Sequence, residues 1–371
     1  MKLLAAGGGT SGHINPGLAI VREFKRRYPE TEVLFIGTEG HAEADLVPRA
    51  GFDIEFIEIS GLSRRKNFAS LKHNLQTAVK YVKARNRVRR IIKEFKPDIV
   101  LGTGGYVSAP VLKEAAKMGV KTLIHEQNAY AGVATKMLAP CVDRVYLSFP
   151  LAKPIKCDPA KTCVVGNPVN PDFLGIDRAG ARAELGIPED VPFVLSYGGS
   201  LGARKINDAF AVMAEISAQE GLILHYHGAA RDYDYLTEKM GDTAKADNIK
   251  LFKYIYNMPT VMAAADLLIA RSGAMTLTEI AALGRASILI PSPNVTENHQ
   301  YYNAKGYSDV GAAVLLEEKD LSGEGLYDTV KELISDRARI RRMEKAALTL
   351  AHTDAAAKIC DGMEELLGLT K

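Results

Sequence analysis

The stretch Gly7-Gly8-Gly9-Thr10-Ser11-Gly12-His13-Ile14-Asn15-Pro16 constrains this chain more than any other. An apolar run, Leu3 to Ala6, precedes it and is short enough to be a buried strand. Helical spacing follows at Leu18, Ala19, Val21 and Phe24. A strand, a glycine turn and a helix in that order let backbone approach an anion and aim unpaired N–H groups at it. Gly7, Gly9 and Gly12 also satisfy the pattern G-x-G-x-x-G. His13 puts a titratable imidazole where the helix begins.

Alternation of strand and helix runs through the first half. Val33–Gly37, Ile54–Ile57, Ile99–Gly102, Thr122–His125 and Val145–Leu147 read as buried strands. Pro16–Tyr28, Phe68–Phe95, Val107–Met118 and Tyr130–Leu138 read as helices. That order implies a parallel sheet covered on both faces, with ligands held at the carboxyl ends of its strands. Gly7–His13, Gly102–Tyr106 and His125–Asn128 all follow such ends.

Val164-Val165-Gly166-Asn167-Pro168-Val169-Asn170-Pro171 reads as a hinge, with two prolines and no helical period. The alternation then restarts: strand Phe193–Tyr197, glycine turn Gly198–Ala203, helix Ile206–Ile216. Leu222–His227, Ile249–Phe252, Leu267–Ala270, Ser287–Pro291 and Ala313–Leu315 continue the strands. The last segment is helical, broken near Ser335–Asp336 and His352–Asp354. The expected organisation is an N-terminal domain over 1–163, a joint over 164–171, a second domain over 172–351 and a terminal helix over 352–371. A cleft between two such domains is the default ligand site.

Composition excludes several classes. At 371 residues and 47% hydrophobic the chain is long enough for two proper cores. No secretory pattern opens it, and no apolar run approaches the ~20 residues of a membrane span. Cys141, Cys157, Cys163 and Cys360 form no C-x-x-C pair, so no zinc site or disulfide framework is indicated. The net charge of +3 decides little, but Ser60–Lys96 carries twelve Lys or Arg against one acid, Glu94. Apolar Leu62, Phe68, Leu71, Leu75 and Val79 are interleaved with them. Such a stretch suits an anionic membrane surface. The alternative is a solvated helix face. Nucleic acid is not expected, because no recognition motif or stacking platform accompanies the charge.

Three further stretches carry chemistry. In Gly198–Ala203, Ser200 adds a hydroxyl to a turn fit for phosphate. In Arg271–Gly284, Glu279 lies one turn into a helix, where a carboxylate can accept from a ribose diol. Thr276 and Glu279 also fit the spacing of a capping box. His13 is a candidate general base, since an imidazole ordinarily titrates near neutrality.

Taken in order, Gly8–His13, Gly104-Gly105-Tyr106, His125-Glu126-Gln127-Asn128, Gly166-Asn167-Pro168-Val169, Gly198–Ala203 and Arg271-Ser272-Gly273-Ala274 cover nearly the whole chain. Together they resemble the MurG family of bacterial transferases, which convert lipid I to lipid II in peptidoglycan synthesis. The resemblance implies an α/β fold of GT-B type: two Rossmann-like parallel-sheet domains separated by a cleft. It implies the acceptor site in the first, the donor site mainly in the second, and a last helix packed back on the first. It implies uracil at the Ile255 backbone, ribose at Glu279 and diphosphate at Ser200. Thr10, Ser11, Gly12, Asn128, Ala274, Met275 and Gln300 would surround the sugar. Gly104, Gly105, Tyr106 and Glu126 would line the acceptor side. His299 stands where many members have glutamine, Asn170 where many have arginine, and Ser11 where many have glycine.

The expected reaction is an inverting transfer of N-acetylglucosamine from UDP-N-acetylglucosamine to the 4-hydroxyl of the muramyl sugar of lipid I. His13 is the first candidate base and Glu126 the second. No cofactor is expected, and no Asp-x-Asp pair is placed to hold a metal at a diphosphate. The expected location is the cytoplasmic face of the cell membrane, as a peripheral protein. Alternatives are a GT-B transferase acting on a diacylglycerol lipid and a UDP-sugar epimerase.

Overall fold

The computed structural model describes residues 1–59, 68–199 and 202–369, and divides into two units, Met1–Val169 with Thr353–Lys371, and Asn170–His352. The first unit runs β1 (Lys2–Ala6), α1 (Ser11–Arg27), β2 (Glu32–Gly37), α2 (Glu43–Arg49), β3 (Asp53–Phe56), α3 (Phe68–Phe95) and β4 (Ile99–Gly102). It continues with α4 (Gly105–Lys117), β5 (Lys121–Glu126), α5 (Val133–Leu138), β6 (Arg144–Leu147) and β7 (Thr162–Val164). Its seven strands form one parallel sheet in the order β3-β2-β1-β4-β5-β6-β7.

Strand side chains alternate between faces, and each face has its own helices. Leu4, Ala6, Val100 and Ile124 pack with Val88, Ile91, Val107 and Val111 of α3 and α4. Leu3, Ala5, Leu101 and Leu123 pack on the other face with Val21 and Phe24 of α1.

The second unit runs α6 (Arg178–Leu185), β8 (Phe193–Tyr197), α7 (Arg204–Glu220), β9 (Leu224–Gly228), α8 (Tyr233–Met240), β10 (Ile249–Phe252) and α9 (Met258–Ala264). It continues with β11 (Leu267–Ala270), α10 (Ala274–Leu283), β12 (Ala286–Leu289), α11 (His299–Asp309), β13 (Ala313–Leu315), α12 (Gly323–Ser335) and α13 (Arg337–Leu348). Its parallel sheet has the order β10-β9-β8-β11-β12-β13. The last helix, α14 (Ala355–Leu367), belongs to the first unit, where Ile359 and Met363 join the core of α1.

Two departures from the sequence reading bear on the site. Pro16 suggested a helix start, yet α1 begins five residues earlier and holds Pro16 in its second turn. Proline has no N–H, so the Gly12 carbonyl loses its intrahelical donor there. His13 therefore lies inside the first turn, its N–H donating to the Thr10 carbonyl at 3.1 Å. The stretch read as a hinge is also partly built into the first sheet. Val164 ends β7, and Val165 N–H donates to the Leu147 carbonyl at 2.9 Å.

The basic helix α3 spends much of its charge inside the fold. Arg85 and Arg89 both bind Glu114 of α4, a carboxylate with no solvent exposure, at 2.5 Å. Lys80 pairs with Glu58 at 2.9 Å and Arg87 with Glu55 at 2.6 Å. The Arg64–Lys66 part of the basic stretch lies outside the described residues. Among the described residues no helix is long and apolar enough to cross a membrane.

α14 docks through a glycine. A Cβ at Gly362 would overlap the Tyr146 hydroxyl of β6, while Arg27 of α1 binds Asp361 and Glu364 at 2.6 and 2.9 Å. Gly362→Ala is expected to destabilise the first unit by about 1–3 kcal/mol, the usual cost of overpacking. A denaturant midpoint indistinguishable from that of the parent would show that α14 shifts without cost.

Candidate active site

In each sheet the strand order reverses at one place, and there the chain leaves neighbouring strands toward opposite faces and opens a crevice. In the first unit that place lies between β1 and β4. The turn after β1 carries Gly7–His13 and the turn after β4 carries Thr103–Tyr106. They are in contact. A Cβ on Gly104, held at φ +100°, would come within 2.8 Å of His13 Nδ1, and one on Gly105 would overlap the Gly8 carbonyl. Glycine is needed at both by conformation and by close approach.

His13 is half-buried, and its Nδ1 lies 2.9 Å from Gln127 Oε1. Gln127 follows β5 and is buried, its amide nitrogen 3.1 Å from His125 Nδ1 and 3.0 Å from the His125 carbonyl. Burial pushes the His125 imidazole down to about 4, overriding its bond to the Gly166 carbonyl. His125 is thus a neutral structural residue at physiological pH.

The first glycine turn is not the open anion cradle that its pattern suggests. Glu43 of α2, with 0% exposure, accepts from Gly9 N–H at 3.0 Å and from the Thr38 N–H and hydroxyl at 3.1 and 2.6 Å. An internal carboxylate already occupies the Gly9 amide. Tyr106 stands beside it, its hydroxyl 3.2 Å from His41 Nε2.

Glu126 is similarly committed. One carboxylate oxygen accepts from Asn128 N–H at 3.1 Å and from the Asn128 side chain at 3.2 Å. The other accepts from Gly132 N–H at 2.8 Å and the Thr135 hydroxyl at 2.6 Å. With both oxygens engaged and the side chain buried, Glu126 shapes the loop after β5. It is not set to take a proton from a bound substrate.

In the second unit the reversal lies between β8 and β11. The turn after β8 leads into α7, and that after β11 into α10. The N-cap residues, Ala203 and Gly273, carry no side chain that can cap the first turn, an arrangement that suits an anion at the helix start. A Cβ on Gly198 would press on Ala203 N at 2.4 Å, and Gly199 and Gly202 hold φ of +80° and +73°. Ser200 lies outside the described residues.

Thr276 and Glu279 do not form the expected capping box, because Gly273 is the cap and both residues stand inside α10. The buried Tyr197 hydroxyl donates to Met262 Sδ at 3.6 Å, and burial, with the Glu279 carboxyl nearby, holds it well above its ordinary titration range. Burial raises the Glu279 carboxyl to about 8. Ala274 and Met275 form the first turn of the same helix. Ile255 is buried against Gly228 at the end of β9, between Tyr254 and Tyr256, which meet edge to face at 4.8 Å and are exposed.

Gln300 accepts from Ser292 N–H at 2.9 Å through its side chain and from the Ser272 hydroxyl at 2.8 Å through its carbonyl. That ties the start of α11 to the Arg271–Ala274 turn. His299 is the first residue of α11. Asn170 caps a short turn, accepting from Asp172 N–H at 3.2 Å, and is exposed. Glu43 was not legible as a site residue. Its only sequence signal was an acid shortly after the second strand, and its partner lies 34 positions away.

Family models match both units: the glycosyltransferase family 28 N-terminal domain over residues 3–147 and the C-terminal domain over residues 193–359. A protein of Acetivibrio thermocellus is 43% identical over 99% of this chain and 98% of its own length. It is named UDP-N-acetylglucosamine--N-acetylmuramyl-(pentapeptide) pyrophosphoryl-undecaprenol N-acetylglucosamine transferase. A protein of Exiguobacterium sibiricum with the same name is 42% identical, covering 99% of both chains. The crystal structure of Acinetobacter baumannii MurG superposes with a TM-score of 0.80 at 26% identity, over 98% of this chain and 99% of that one.

Raising Glu279 to about 8 from an ordinary 4.5 favours the folded state at low pH. That advantage is complete below about 4.5 and is lost as pH rises through about 8. Glu279→Gln should therefore gain thermal stability relative to the parent as pH increases across this window, without ligand. A melting-temperature difference that stays flat from acid to pH ~8.5 would show that the carboxyl is not held neutral.

Proposed function

We propose that this chain, which belongs to glycosyltransferase family 28, moves N-acetylglucosamine from UDP-N-acetylglucosamine to the 4-hydroxyl of the muramyl sugar of lipid I, giving lipid II. The relatives named for this transfer match it over 99% of its length. The observation that carries the residue assignment is the half-buried His13 imidazole, braced by Gln127 at the β1–β4 reversal.

The transfer is an inverting displacement. The acceptor hydroxyl oxygen attacks the anomeric carbon while the bond to the UDP oxygen breaks, so one face needs a base and the other a stabiliser of the departing charge. His13 takes the hydroxyl proton. Glu126 is set aside because four donors already hold its carboxylate. The developing charge on UDP meets the N–H groups that open α7 and α10, and the Ser200 hydroxyl is assigned to the same diphosphate from its place in the sequence alone. Glu279, Thr276 and Tyr197 take the ribose: a carboxyl near its titration point can donate to one hydroxyl and accept from the other. The Ile255 backbone takes the uracil. Ala274, Met275 and Gln300 of the second unit take the sugar. Gly104, Gly105 and Tyr106 face the acceptor.

The acceptor is anchored in lipid, so the enzyme works at a membrane surface, on its cytoplasmic face. Arg64, Arg65, Lys66 and Lys72 carry that contact, because Lys80, Arg85, Arg87 and Arg89 are engaged by acids within the fold.

The direct test supplies labelled UDP-N-acetylglucosamine and lipid I and follows label into a lipid-extractable product. Absence of that product, with UDP-sugar still bound, would leave a binding module. His13→Ala is expected to lower kcat by about 10²–10⁴-fold while donor affinity changes little. Near-normal turnover would remove His13 from the chemistry. Charge reversal at Arg64, Arg65 and Lys72 is expected to weaken binding to anionic vesicles, each basic residue being worth about 1 kcal/mol at such a surface. Unchanged sedimentation with vesicles would make those residues a solvated face.

A further inference from the structure

A run of buried groups in the first unit has one consistent way to share its protons, and it decides which nitrogen of His13 is bare. The Gly166 carbonyl can only accept, and it lies 2.9 Å from His125 Nε2. The Ser148 hydroxyl lies 3.1 Å from the same nitrogen. Its single proton already has acceptors in the Glu126 carbonyl at 2.8 Å and Asn167 Oδ1 at 2.7 Å. Asn167 is itself oriented, its amide donating to the Gln127 carbonyl at 3.1 Å. His125 therefore carries its proton on Nε2. Kept neutral by burial, it has no second proton, so Nδ1 is a lone pair.

Gln127 must turn its NH₂ toward that lone pair and toward the His125 carbonyl, at 3.1 and 3.0 Å, because both only accept. Its carbonyl oxygen is thereby aimed the other way, 2.9 Å from His13 Nδ1. An acceptor there demands a donor. Gln127 is 2% exposed and His125 0%, so solvent has little access to reorganise the chain of bonds. No described residue is recorded bonding His13 Nε2.

We propose that His125 and Gln127 are positioning residues that lock His13 in its Nδ1–H tautomer, leaving Nε2 as the atom that receives the acceptor proton. This rests on the reading of His13 as the base and names its reactive atom. The hydrogen bond at one ring nitrogen sets the state of the other. As the acceptor oxygen bonds to the anomeric carbon and the UDP oxygen departs with the electron pair, the hydroxyl proton passes to Nε2. Nδ1–H stays on Gln127 Oε1 throughout, and the Nε2 proton is afterwards released to water.

The test is long-range ¹H–¹⁵N correlation on the full-length, ¹⁵N-histidine-labelled protein at mildly alkaline pH, with the His13 signals identified by their loss in His13→Gln. The expected spectrum shows a protonated Nδ1 and a bare Nε2. A protonated Nε2, or rapid averaging of the two forms, overturns the proposal whatever the activity. Gln127→Met keeps the size and removes all three side-chain hydrogen bonds. It should mix the tautomers and lower kcat about tenfold or more with KM for UDP-N-acetylglucosamine unchanged. Unchanged kcat and tautomer in that variant overturn the proposal too. Should Gln127→Met fail to fold, the parent spectrum alone decides. Near-normal turnover in His13→Ala, beside a locked tautomer in the parent protein, would instead defeat the base assignment.

Discussion

A parallel sheet covered by helices on both faces leaves a ligand only the ends of its strands, and such folds bind beyond the carboxyl ends. Everything chemical in this chain follows from that restriction. Leu3–Ala6, Ile99–Gly102, Phe193–Tyr197 and Leu267–Ala270 are buried almost throughout, so each strand can deliver function only at its carboxyl end and in the turn that follows it. The reversal of strand order at β1–β4 and at β8–β11 selects which turns meet a crevice. His13 and Gly104 belong to the first, and the openings of α7 and α10 to the second.

The two turns then part ways for a reason of charge. In the first unit, Glu43 fills the Gly9 amide from beneath and Glu126 satisfies the loop after β5. Buried carboxylates of this sort are tolerated because several N–H and O–H donors replace their water. They also make the neighbourhood a poor host for a second negative charge and a better one for a positive charge. In the second unit the caps of α7 and α10, Ala203 and Gly273, bring no capping side chain, and helix starts of that kind suit a diphosphate. Similar glycine patterns thus serve opposite electrostatic ends.

The basic helix shows the limit of reading charge from composition. Twelve cations against one acid in Ser60–Lys96 look like an undivided surface patch. Folding brings acids from distant elements to meet them: Glu114 of α4, Glu55 of β3 and Glu58 just beyond it. Arg85 and Arg89 then act as anchors of one helix on another.

The chain's local patterns were enough to identify the two parallel sheets, most of their strands and the turns that matter, because a buried strand and a glycine turn are written in contiguous residues. Ile249–Phe252, Leu267–Ala270 and Ala313–Leu315 were legible to the residue, as were the breaks among the last helices. His13 and Glu279 stood out because chemically distinctive residues sit at fixed offsets from those turns. Tertiary structure alone decided what each group does with its protons. That Glu43 takes the Gly9 amide, that Glu126 is a staple, and that Gly166 constrains His13 through His125 and Gln127 all depend on partners far apart in sequence. Hydrogen-bond satisfaction is a property of the packed interior, and no local pattern encodes it.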